Sequence, residues 1–159
     1  MTEIRRLPAA PLHAVEIWSN PAAVAARFAE AGAALPTMGR SGPVLGATLL
    51  RVEPTVWLAE GDIAALLPLL GDDGGVTAIG GGVVRFALTG PGWRALLMAD
   101  GLFDAESRDF GVGGCAATVI AHAAVRLWVE AADAVRVYVP ASMAEGMEHH
   151  WRANLPLVG

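Results

Sequence analysis

Residues 12–18 mix β-branched and aromatic side chains (Val15, Ile17, Trp18) with polar ones and read as a strand. Asn20-Pro21 then marks a helix start, Asn suited to the cap and Pro to the first turn. The helix 22–31 carries Val24 and Phe28 four residues apart, on one face, and Gly32 stops it. Residues 35–46 hold two Pro and three Gly and read as a loop. Segments 45–52 and 55–59 form a hairpin about Glu53-Pro54, and a second helix, 62–70, runs from an Asp cap to Gly71.

Asp72-Asp73-Gly74-Gly75 reads as a turn, after which a similar order begins again. A strand (83–88), a turn (89–92) and a helix (93–98) are followed by strands at 115–121, 125–130 and 134–139. Pro140 ends the last of these, and 142–153 forms the final helix. The run Glu16-Ile17-Trp18-Ser19-Asn20-Pro21 matches Arg85-Phe86-Ala87-Leu88-Thr89-Gly90-Pro91, each leading into a helix. Leu50–Leu58 likewise matches Trp128–Val139, each a hairpin followed by a helix. A repeat of roughly 70–80 residues is too long for a solenoid unit. The expectation is one α+β domain, 1–159, of two pseudo-symmetric strand–helix–strand halves, 12–71 and 72–153.

Composition sharpens this picture. Hydrophobic residues make up 54% of the 159 and charged residues 17%, with a mean hydropathy of +0.47. The longest uncharged stretch, 110–125, opens with three glycines and contains His122, which suits a strand better than a lipid-facing helix. Pro8 and Pro11 stand where a signal peptide needs an apolar helix. A soluble, cytoplasmic protein is expected, and the single cysteine, Cys115, provides no disulfide framework. A monomer of this size exposes roughly 7,500 Å², so its 27 charged side chains give about one per 280 Å². Such sparse charge suggests that other chains cover part of the exterior. A high-GC genome, consistent with the complete absence of lysine, is the alternative source of the bias. The net charge of −5 lacks a basic stripe, which argues against nucleic-acid binding. Without lysine, a Walker-type phosphate lysine and a Schiff base are also excluded.

Candidate chemistry is thin. Gly111-Val112-Gly113-Gly114-Cys115-Ala116 fits G-x-G-x-x-A, but that pattern cradles a pyrophosphate only between a strand and a helix. A β-rich run follows here, so a glycine-rich loop is the simpler reading. Cys115 and His122, seven apart on an extended strand, fall on opposite faces, and a buried cysteine is expected. Glu145 and His149 share a helix face and could begin a metal site, but no second histidine pair completes it. Asp72-Asp73 lacks the alternating carboxylates of a calcium loop, and no acid pair or G-x-S-x-G elbow stands out. The five tryptophans, Trp18, Trp57, Trp93, Trp128 and Trp151, read as core or interface residues.

A longer series of residues resembles the gamma subunit of heterotetrameric sarcosine oxidase. It comprises Gly75-Val76-Thr77, the run from Val84 to Leu97, Phe103-Asp104, Phe110, the run from Cys115 to His122, and the run from Val139 to Glu145. Pro54-Thr55-Val56-Trp57-Leu58 falls where that family has Pro-x-x-Trp-Leu. The family is similar to the folate-binding domain of the glycine-cleavage T-protein, a duplicated α+β fold. The resemblance implies a subunit without catalytic residues, metal or cofactor of its own. FAD, FMN, NAD and folate are expected on the larger flavoprotein and folate/NAD-binding partner subunits. Ala78-Ile79-Gly80 departs from the family's Asp-Leu-Ser, leaving open which N-methyl amino acid the parent enzyme oxidises. Gly114-Cys115-Ala116-Ala117 keeps only Gly-Cys of the Lys-Gly-Cys-Tyr-x-Gly-Glu motif of the folate-dependent iron–sulfur assembly proteins. The leading expectation is a structural subunit of a sarcosine-oxidase-type flavoenzyme that helps close a reaction cavity, with no membrane or nucleic-acid partner. The alternative is a stand-alone folate-binding or aminomethyltransferase-like protein.

Overall fold

In the computed structural model, described for residues 1–158, the chain divides into two compact units. One is the continuous stretch Ala10–Gly80; the other joins Met1–Ala9 to the chain from Gly81 onward. The N-terminal strand β1 (Glu3–Arg6) therefore belongs with the second unit.

The first unit contains β2 (Leu12–Ile17), α1 (Pro21–Glu30), β3 (Ser41–Val44), β4 (Ala47–Arg51), β5 (Val56–Gly61), α2 (Leu67–Leu70) and β6 (Gly74–Ala78). Its antiparallel sheet has the order β3-β4-β5-β2-β6. Val15, Ile17, Val24, Phe28, Leu49 and Leu66 form the centre of its core. Each such side chain contributes roughly 1.5–3 kcal/mol of burial. Val24 and Phe28 are the buried face of α1, as their spacing predicts. The helix ends in paired bonds from Ala33 N–H to the Phe28 carbonyl (2.9 Å) and from Gly32 N–H to that of Ala29 (3.0 Å). That pattern satisfies carbonyls the last turn leaves open.

Asn20 occupies the cap position but does not cap. Its backbone is left-handed (φ 44°), and its side chain reaches across to Asp73 instead. The predicted helix at 62–70 shrinks to one turn. Asp62 does accept a bond, from Ala64 N–H at 2.9 Å, but Pro68 fits only the first turn of a helix, which therefore starts at Leu67. Two strands arise where glycine and proline suggested loop or turn. β3 carries Gly42-Pro43 on the sheet edge, and β6 begins at Gly74-Gly75. Gly74 is there for close packing: a Cβ would stand 2.4 Å from the Glu16 carbonyl oxygen.

The second unit holds β1, then β7 (Val83–Thr89), α3 (Trp93–Met98), β8 (Cys115–Ile120), β9 (Ala123–Ala131), β10 (Ala134–Pro140) and α4 (Ala144–Val158). Its sheet runs β8-β9-β10-β7-β1, the order of the first sheet element for element. β2 corresponds to β7, α1 to α3, the β4–β5 hairpin to β9–β10, and α2 to α4. The position that β6 fills in the first sheet is taken here by β1, with Ile4 opposite Leu88. The duplicated α+β fold expected from the sequence is thus present.

Trp93, Trp151, Phe86, Leu88, Leu96 and Leu127 lead the second core. Phe86 and Trp151 meet edge to face, with ring centroids 5.3 Å apart. The last helix starts two residues later than predicted and runs on to Val158, because Met147, Trp151 and Leu155 continue its packed face. Pro156 forfeits one hydrogen bond in the final turns.

Candidate functional site

The β8–β9 hairpin turns on two residues, Ala121 and His122, both at positive φ (45° and 69°). Two-residue hairpins favour that backbone because it matches strand twist, but they normally recruit Asn-Gly to reach it. A third left-handed residue, Asp100 (φ 56°), lies beside them: its carbonyl accepts the Ala121 N–H at 3.1 Å. Gly101 bridges Ile120, and Leu102 N–H donates to the Val119 carbonyl at 3.3 Å. Residues 100–102 therefore lie along the outer side of β8, at its C-terminal end.

A hollow of about 500 Å³ opens between these segments, lined by Asp100, Gly101, Leu102, Val119, Ala121 and His122. A second, of about 320 Å³, lies past Ala121 and is bounded by Ala123, Ser142, Met143, Gly146 and Met147. The walls are mostly small or apolar. Leu102 is 87% exposed, and Val119 and Met143 are also uncovered. His150, on α4, hydrogen-bonds the Ala99 carbonyl through Nε2 at 3.2 Å, and its Nδ1 lies 3.8 Å from the Asp100 carboxylate.

Arg94, on α3, fastens the long connection 99–114. It donates to the carbonyls of Ala105 and Phe110, and its guanidinium stacks 4.2 Å over the Trp93 ring. Phe103 and Phe110 meet edge to face at 4.6 Å beneath it. In the first unit the polar centre is Asp73. Its carboxylate accepts from Ser19 Oγ (2.7 Å), Asn20 Nδ2 (2.8 Å) and Arg27 Nη2 (2.9 Å). The Ser19 hydroxyl, then Arg27 and Asn20, hold its pKa down from 3.8 to about 2. Arg27 also donates to the Leu69 and Leu70 carbonyls, tying α1 to α2.

The candidates read from the sequence are scattered. Gly111–Ala116 leads into β8, a strand, so no helix N-terminus follows it. Cys115 is buried at the start of β8, while His122 is exposed in the turn at its other end. Glu145 and His149 are exposed on α4. Among the described residues, no three of His, Cys, Asp and Glu converge as a metal ion requires. Trp57, Trp93 and Trp151 are core, Trp128 is half-buried under Arg136, and Trp18 is 61% exposed with its indole N–H on the Asp72 carbonyl. Nothing in the sequence marks the hairpin turn or Asp100, because neither carries the glycine that flags a positive φ.

This architecture defines an α+β fold of the aminomethyltransferase T type. Over 94% of this chain it matches glycine cleavage system aminomethyltransferase T from Bartonella henselae at a TM-score of 0.66 and 18% identity, spanning 45% of that protein. A stronger match, at TM-score 0.78 and 25% identity, is to a chain of heterotetrameric sarcosine oxidase from Corynebacterium sp. U-96, solved in complex with pyrrole 2-carboxylate. It covers 94% of this chain and 81% of that one. The resemblance read from the sequence is therefore borne out by structure. No family model and no curated protein sequence matches this chain. No helix among the described residues is long and apolar enough to cross a membrane.

Proposed function

We propose that this chain is a non-catalytic structural subunit of a heteromeric sarcosine-oxidase-type flavoenzyme, in the position of the gamma subunit. The observation that carries this reading is the match to a sarcosine oxidase chain over 94% of this protein and 81% of the other. The matched chain is thus similar in size to this one, as a small subunit should be. Sparse surface charge and uncovered Leu102, Val112, Val119 and Met143 fit a protein that works with neighbours. Its contribution would be buried area and the closing of a cavity in which larger subunits oxidise sarcosine or a related N-methyl amino acid. FAD, FMN, NAD and folate would sit on those partners, in a cytoplasmic complex.

Co-expression of a tagged chain with sarcosine-oxidase-type flavoprotein subunits from the same genome tests this. Stoichiometric co-elution with them is expected; a chain that always elutes alone overturns it.

The second reading, an independent folate-binding or aminomethyl-transfer protein, is favoured only by the likeness to aminomethyltransferase T. The residues present fit a pterin poorly. Ala78, exposed on β6 opposite His13, supplies no carboxylate, and the Asp100 carboxylate beside the larger hollow is 78% exposed. Calorimetry of the isolated chain with tetrahydrofolate separates the readings: stoichiometric binding would promote this one.

A further inference from the structure

The two sheets end in equivalent hairpins whose outer strands are treated differently. In a two-residue hairpin the residues flanking the turn exchange hydrogen bonds, and alternate residues beyond them turn their N–H and C=O outward. For β3–β4 the flanking pair is Val44 and Ala47, which makes Pro43 the first outward residue. Pro43 has no N–H to offer, so this edge is blunted where another strand would begin to pair.

For β8–β9 the flanking pair is Ile120 and Ala123, and the bond from Val129 N–H to the Gly114 carbonyl confirms that the even-numbered residues face β9. Val119 and Ala117 are then the outward residues. Gly101 bridges Ile120 and Leu102 takes the Val119 carbonyl, so these two residues occupy the place beside that end of β8; among the described residues, both backbone groups of Ala117 remain open. Neither Ala117 nor Val119 is a proline or carries a charge. The position that holds Pro43 in the first sheet holds Val119 in the second, next to exposed Leu102 and the 500 Å³ hollow.

The connection beside this edge is acidic, although Arg126 on β9 stands opposite Ala117. The connection 99–114 starts at one end of β8 and returns at the other, and it exposes Asp100, Asp104, Glu106 and Asp109 against one basic residue, Arg108. A second copy added edge to edge would bring two such acidic loops together, which like-charge repulsion disfavours. A segment carrying Arg or Lys would be drawn in.

We propose that the free edge of β8 receives an extended, apolar segment bearing a basic residue, contributed by one of the larger subunits and added as a sixth strand. Main-chain bonds to both backbone groups of Ala117 hold it in register, alongside the end of β8 that Gly101 and Leu102 already cover, an apolar side chain packs beside Leu102, and its cation faces the acidic loop. This rests on the subunit reading above and names the surface through which the chain assembles.

The test is co-purification from cells expressing all subunits, with wild type, Ala117→Pro and a Leu102→Ser/Val119→Thr double variant compared. The Ala117 N–H makes no bond among the described residues, so proline removes a donor that only a partner would use. Recovery of the complex at least about tenfold below wild type is expected for both variants, with the isolated chain's circular dichroism unchanged. If Ala117→Pro unfolds the chain, the double variant alone decides, by the same loss or its absence. Wild-type recovery by either folded variant overturns the proposal while leaving the subunit reading standing. Failure of wild type to recover any partner brings down both. Concentration-dependent dimers of the isolated chain that Ala117→Pro abolishes would instead identify a second copy as the occupant, and the proposal fails.

Discussion

The two units share one topology but are fastened by different means. The first is drawn together by a charged hub: Asp73 gathers Ser19, Asn20 and Arg27, while Arg27 ties α1 to the carbonyls that end α2. The second has a larger aromatic core, with Trp93, Trp151, Phe86 and Phe110 in edge-to-face pairs, and secures its long loop by a cation stacked on an indole. Strand order is thus compatible with either polar or aromatic fastening. The choice shows up in how each unit answers pH, truncation and strain.

The sharpest break is Trp151→Ala. Removing this fully buried indole should cost about 3–5 kcal/mol, seen as a fall in the urea midpoint, with the pH dependence between 4 and 2 unchanged. A loss under 1 kcal/mol would show that the core refills and that the aromatic account is wrong. Next is Arg94→Ala, which strips two main-chain acceptors and the stack on Trp93. It should cost about 1–3 kcal/mol and speed amide exchange selectively across 99–114.

Acid probes the other unit. Because the pKa of Asp73 lies at about 2 when folded and 3.8 otherwise, its stabilisation is complete above pH 3.8. It fades as pH falls toward 2. In Asp73→Asn, acid-induced destabilisation across that window should lose up to about one proton's worth of slope, read from urea midpoints at successive pH values. The smallest effect lies at the hairpins. His122→Gly should stabilise by about 0.5–1 kcal/mol by relieving a positive φ. Gly46→Ala, at φ 98° in the equivalent turn, should destabilise by about as much. Both are readable as shifts in thermal midpoint.

Much of this was legible in the sequence. The spacing of Val24 and Phe28, the alternation through 115–139 and the match between the two strand–turn–helix runs each reported a buried face directly. What escaped depends on partners distant in the chain. β6 looked like a turn because Gly74 is explained only by the Glu16 backbone pressed against it. β1 gave no signal of its own, since its reason to be a strand is β7. Asn20 was assigned a local task and performs a long-range one, 53 residues away at Asp73. The hollow beside β8 escaped for a further reason: its left-handed residues are Asp, Ala and His, so composition offered no flag for the backbone they adopt.

The placement of β1 has a consequence for biosynthesis. Ribosomes add roughly 5–20 residues per second, and β1 is made before the strand it pairs with. Its partner β7 follows about 80 residues later, so β1 must wait several seconds or more, unpaired, while Ala10–Gly80 can complete its own sheet. The first unit can therefore fold as it is made. The second cannot gain its outer strand until β7 appears, nor its full core until α4 does. A strand edge exposed for that long is a natural client for a chaperone, and slowing translation between residues 10 and 83 would lengthen the exposure without touching any contact in the finished protein.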